Sequence, residues 1–177
     1  MRILTLLVLL AAAASAQQTR KEITNPGTRD SAGLDPKVPD VYAIPAQIER
    51  VLVLRFKNQT DLLDGLERMV KANHIQNAVI LSAFGSVTGY QVHQVSNRTF
   101  PSKDTFVADP TKPADIVTMS GFVMNGKVHP HIALATPDGG FGGHLEPATK
   151  VFTFAVVTIG VLPAGTDFTK LDDKNYR

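Results

Sequence analysis

Residues 49–56 (ERVLVLRF) are β-branched and apolar at consecutive positions, the pattern of a strand covered on both faces. The next stretch, DLLDGLERMVKANH, changes period. Leu62, Leu63, Leu66, Met69 and Val70 fall on one stripe at helical spacing. Thr60 suits the N-cap, with Asp61 and Asp64 near the positive amino end and Lys71 and His74 near the negative carboxyl end. Residues 78–84 (AVILSAF) predict a buried strand ended by Gly85, and 87–95 a second, loosely alternating one. Residues 96–114, rich in Ser, Asn, Asp, Thr and Pro, predict a long surface loop. Strands at 115–124 and 127–136 flank Asn125-Gly126, a dipeptide that tolerates positive φ and favours a hairpin. A turn at 137–140 follows. Residues 150–162, apolar on both parities, predict a strand that is central or covered by another subunit. The sum is a single α+β domain over 47–164, mainly antiparallel sheet with one amphipathic helix.

The flanks read differently. Arg2, an apolar run to Ala14 and the small residues Ala14, Ser15 and Ala16 predict a secretory signal over 1–16. The run is too short to span a bilayer as a stop-transfer helix, and no cysteine follows for lipid attachment, so no membrane anchor is expected in the mature chain. The expected location is periplasmic or extracellular. Residues 17–46 carry repeated Pro and Gly without a sustained period, which predicts an extension outside the core, and 165–177 predict a polar tail. Hydrophobic residues at 44% and charged residues at 19% exclude global disorder. Removing Arg2 with the leader takes the formal charge from +2 to +1, and no basic stripe offers a nucleic-acid footprint. With no cysteine, disulfides, thiolate metal sites and thiol nucleophiles are excluded.

The remaining chemistry lies in imidazoles. His129 and His131 are two apart on a strand and share a face, with their bases roughly 6–7 Å apart. His144 follows Gly142-Gly143, residues that let the chain pass close to a neighbour and aim the third ring back at the pair. Pro130 between the two histidines marks an edge or bulge. Three imidazoles without a thiolate suit a divalent cation, Zn²⁺ best, with coordination positions left for water or substrate. The plain alternative is a surface histidine pair beside an unrelated turn. Glu146 is a candidate fourth ligand or proton acceptor, and Asp115 a candidate support for a histidine. Asp138 reads as a turn residue, His74 as a helix-end residue and His93 as a strand residue with no special role.

The stretch VTMSGFVMNGKVHPHIALATPDGGFGGHL, then VFTFAVVTIGVL, resembles the plant and prokaryote conserved (PPC) domain, DUF296. LVLRFKNQTDLLDGLERMVKANHIQNAVILSAFGSVTGYQV resembles the opening of the same domain. The resemblance implies a homotrimer and a metal held by His129, His131 and His144. Its fold-level kinship with acetolactate decarboxylase and a zinc-containing ester hydrolase implies hydrolysis or lyase chemistry on a small carbonyl compound, as one expectation among several. A non-catalytic trimer that binds a ligand or partner is the alternative. DNA binding fits least: plant members carry AT-hooks, and their Arg-Gly-Arg core is absent here.

Overall fold

A computed structural model describes residues 18–24, 35–168 and 171, so the expected leader lies outside the described residues. Among the described residues there are eight strands: β1 (Thr19–Thr24), β2 (Arg50–Lys57), β3 (Asn77–Val95), β4 (Lys103–Asp109), β5 (Ala114–Met124), β6 (Lys127–Thr136), β7 (Gly139–Leu145) and β8 (Lys150–Leu162). The α-helix among these residues, α1 (Leu62–Ala72), joins β2 to β3. Every strand pairing is antiparallel, and the strands form one sheet within a single domain.

β3 organises the sheet. It is one strand of 19 residues, where the sequence suggested two separated by Gly85. Gly85 has φ +138, and a Cβ there would lie 2.3 Å from the Phe154 carbonyl oxygen. The glycine therefore marks a close crossing with β8 and a register shift, with no break in the strand. β5 and β8 flank the first half of β3, and β4 and β7 flank its end. Because β6 joins β5 to β7, strands β3, β5, β6 and β7 close into a ring. Val92, Ile132 and Leu145 point into the core at 0–2% exposure. Strand alternation therefore turns their neighbours His93, His131 and His144 outward.

The helix buries Leu62, Leu63, Leu66 and Val70, while Met69, expected on the same stripe, is exposed. Gly65 sits on the buried side because a Cβ there would lie 2.5 Å from the Phe56 ring of β2. The N-cap is Asp61, one residue after the expected Thr60, whose carbonyl is taken by the Val151 amide. The Asp61 carboxylate accepts from the Asp64 amide at 3.1 Å and from the Ala148 amide at 2.7 Å. Asp61→Ala is expected to cost about 1 kcal/mol, readable as a lowered denaturant midpoint. At the other end His74 takes φ +52, and the His74 and Ile75 amides close onto Lys71 and Val70 as a Schellman cap.

Three polar segments are more ordered than their composition suggested. The expected loop 96–114 contains β4, which ends where the Asp109 carboxylate accepts from the Thr111 and Lys112 amides. The expected extension contains β1, paired along β4 with all six residues exposed. The tail docks as far as Phe168, which is 7% exposed and meets Phe122 edge to face. The buried Asn77 side chain donates to carbonyls of Pro163, Ala164 and Thr166, which holds that docked segment. The expected turn 137–140 shrinks to Pro137-Asp138, because Gly139 and Gly140 already pair with β6.

Candidate metal centre

Strand register assembles the site. His144 on β7 lies directly opposite His131 on β6 and opposite His93 on β3, so the three occupy one row across adjacent strands. Residues paired this way project from the same face. His129, two residues before His131, joins them. Ring centroids are 5.4 Å apart for His129 and His131, 4.6 Å for His129 and His144, and 5.5 Å for His131 and His144. The His144 ring stands nearly perpendicular to the other two, at 80° and 78°. The three histidines singled out by the sequence are thus brought together.

Close backbone approach makes this possible. A Cβ on Gly143 would lie 2.3 Å from the His93 carbonyl oxygen, and one on Gly142 2.4 Å from that of Ile132. On the other side of β6, Gly121 pairs with Pro130, and a Cβ there would lie 2.1 Å from the His129 oxygen. β7 borders β6 only from His131 onward, which leaves 127–130 along an open edge where a proline is tolerated.

His93 is the residue sequence reasoning missed. It is not an ordinary strand residue: its ring stacks on His144, centroids 4.6 Å apart and 17° from parallel, and packs on Phe106 from β4. Its Nδ1 lies 2.6 Å from Glu146 Oε1. Glu146 Oε1 also lies 3.6 Å from His144 Nδ1, so Glu146 does join the cluster. His93, His144 and Glu146 place one ligand atom each within 4.8 Å of one another. Asp115 does not join: it is exposed at the far end of the sheet, paired with Ser86 and Ala135. The Asp138 carboxylate pairs with Lys112 across the surface.

Burial, reinforced by the neighbouring imidazoles His129, His93 and His131, pushes His144 down to about 4. Partial desolvation among the packed rings also lowers His129 and His131, which keep exposed edges, with further lowering from His129 and His93 for His131 and from His93 for His129. All three rings are therefore neutral at pH 7, the state a metal ligand needs. The unfolded chain takes up protons below about 6.5 while the folded rings refuse them. Stability of the metal-free protein is therefore expected to be fully present above that pH and to fall between about 6.5 and 4. Urea midpoints measured across this window check it. Replacing His144 with Gln should flatten part of the slope.

Neutral imidazoles converging from two strands, with a carboxylate beside them and no thiolate, fit a borderline divalent cation. Fold and site define a small, mainly antiparallel α+β domain carrying a histidine cluster on the outer face of a closed strand ring. Residues 44–163 match the Plants and Prokaryotes Conserved (PCC) domain, and the chain belongs to that family. It is 29% identical over 117 residues to the bifunctional protein GlmU of Synechococcus sp. (strain JA-3-3Ab). That match takes in 66% of this chain but 18% of the relative's length. Among solved structures, the metal-containing protein AF0104 from Archaeoglobus fulgidus superposes with a TM-score of 0.62 at 20% identity, over 77% of this chain and 96% of that one. A plant- and prokaryote-conserved (PPC) protein from Pyrococcus horikoshii gives 0.57 at 18% identity, over 70% and 85%. At such identities the likeness is one of fold.

Proposed function

We propose that the protein is an exported, homotrimeric member of this family that binds a divalent cation, Zn²⁺ foremost, through His129, His131 and His144. The observation that carries this reading is the mutual approach of the three rings, 4.6–5.5 Å between centroids. When bound, the cation supplies Lewis acidity and a water acidified to a pKa of about 7, the chemistry of hydrolysis or lyase cleavage on a small carbonyl compound. The chain's part is to hold the three donors neutral and close together on one face of the sheet. His129 and His131 are exposed, which leaves the cluster open to a small molecule.

Trimerisation is supported by an apolar outer face. Val53 of β2, Leu81 and Phe84 of β3, Val117 of β5 and Phe152 of β8 are 45–68% exposed. An exposed apolar patch of this kind marks an association surface. Export is supported by the leader pattern alone. The formal charge near zero gives no support to DNA binding.

Elemental analysis of the purified protein is expected to find close to one divalent ion per chain, lost when His129, His131 and His144 are all replaced by alanine. Less than about one-third of an ion, unaffected by those replacements, would remove the metal reading. Light scattering at micromolar concentration should give three times the chain mass. A monomer would remove the trimer.

A further inference from the structure

We infer that His93 and Glu146 form a positioning pair that fixes the ring of His144 for metal binding. The inference rests on the metal reading above and adds two residues which that reading does not need.

Glu146 is not a solvated loop residue. Its amide donates to the Gln91 carbonyl at 3.0 Å. The hydroxyl of Thr149, a fully buried residue, lies 3.2 Å from the Glu146 carbonyl and accepts from the Gln91 amide at 2.9 Å. The backbone carrying the carboxylate is therefore tied to β3. The carboxylate itself is 19% exposed and faces two imidazoles. One contact is made: His93 Nδ1 at 2.6 Å. The other is 3.6 Å long, to His144 Nδ1, a buried atom with no hydrogen-bond partner.

An unpartnered buried ring nitrogen is costly to leave as it is. Here one rigid acceptor stands a few tenths of an ångström beyond hydrogen-bond reach. Closing that gap gives an Nδ1–H to carboxylate bond, which fixes the tautomer and leaves His144 Nε2 as the donor to a cation. A carboxylate behind a ligating histidine orients the ring and strengthens its donation. His93 anchors the arrangement from the far side. It is held between Phe106 and His144, and its bond pins the carboxylate at the required height.

The same three residues do not form a second cation site. The His93 and His144 rings are only 17° from parallel, so their in-plane lone pairs run side by side and do not converge on one ion. The short His93–Glu146 contact is the length of a hydrogen bond and leaves no room between the two atoms for a metal.

The test uses Zn²⁺ affinity, measured by competition with a chromophoric chelator, and the visible spectrum of the Co²⁺-loaded full chain. Glu146→Gln and His93→Phe are expected to weaken Zn²⁺ binding roughly 10–100-fold with the Co²⁺ band unchanged in position and intensity. His93→Phe keeps the stacked ring but removes the N–H. His93→Gln restores a donor and should recover part of the lost affinity, which a purely packing role would not do. Unaltered affinity in both Glu146→Gln and His93→Phe would overturn the pair while leaving the three-histidine site standing. A changed Co²⁺ band in Glu146→Gln would make Glu146 a ligand and also overturn it. No metal uptake by the unaltered chain would sink the metal reading and this inference together.

Discussion

Alanine in place of His144 is expected to weaken Zn²⁺ binding on the order of a hundredfold, and alanine at His129, His131 and His144 together to abolish it. Zinc held by four protein ligands is bound with roughly 10–16 kcal/mol, so an even share is about 3 kcal/mol per ligand. At about 1.4 kcal/mol per decade, losing one ligand costs about two decades. His144 is the most informative single position because its ring meets both His129 and His131 at steep angles. The fold should survive the change. His144 Nδ1 makes no hydrogen bond, and deleting an unsatisfied group does not strand a partner. Metal-free His144→Ala should therefore unfold within about 1 kcal/mol of the parent at pH 7.5. His74→Asn is the matched control. It alters a histidine at the end of α1 whose ring makes none of the contacts of the cluster, and asparagine tolerates the φ of +52 found there. Titration calorimetry with Zn²⁺ decides the matter. A less than threefold loss at His144, with His74→Asn equally affected, would show that the rings do not share an ion.

The sequence and the structure part company for identifiable reasons. The helix was legible because its apolar stripe is a local pattern, although Met69, placed on that stripe, is exposed and the cap lies one residue after Thr60. The pairs β5–β6 and β2–β8 were legible as strands because their apolar residues face the core. β1 was not: a strand with all six residues exposed has no buried face to imprint a period on its sequence. β7 was not either. Its sequence GGFGGHL has poor strand propensity, and its glycines are required by carbonyl oxygens less than 2.5 Å from where a Cβ would sit at Gly142 and Gly143. Of the site, His129, His131 and His144 were visible because two share a strand and the third follows paired glycines. His93 lies far upstream. Only the β3–β7 register, two residue pairs long, carries it to His144. Its outward parity follows from the buried Val92 beside it, but no local signal predicts that pairing. Asp115 failed for the converse reason. A carboxylate at the start of a strand was a candidate support for a histidine, whereas the register places it opposite Ala135, four residues beyond His131.

Gly121→Ala should destabilise the fold by about 4 kcal/mol, which places it among the severe single substitutions. Two costs combine. At φ +133 the residue occupies a region closed to side chains, worth about 1–3 kcal/mol of strain. The new Cβ would also fall 2.1 Å from the His129 carbonyl oxygen and 3.0 Å from Pro130 Cα, backbone atoms that cannot rotate away. Relief requires β5 and β6 to separate at the point where β6 carries His129 and His131. For a chain of this size such a loss corresponds to a fall in Tm of about 8–16 °C. Three further alanines separate the causes. Gly139 has φ +145 with nothing within 4 Å, so Gly139→Ala reports strain alone. Gly142 has no positive φ but would meet the Ile132 oxygen at 2.4 Å, so Gly142→Ala reports steric displacement alone. Gly140, with its nearest neighbour at 3.7 Å and no positive φ, should accept alanine with little change. Gly121→Ala should exceed both single-cause variants and should lower Zn²⁺ affinity as well, because it moves the strand bearing two of the three rings. Losses at Gly121 no greater than at Gly139 would mean that β5 and β6 part at little cost, and that their close approach does not set the spacing of His129 and His131.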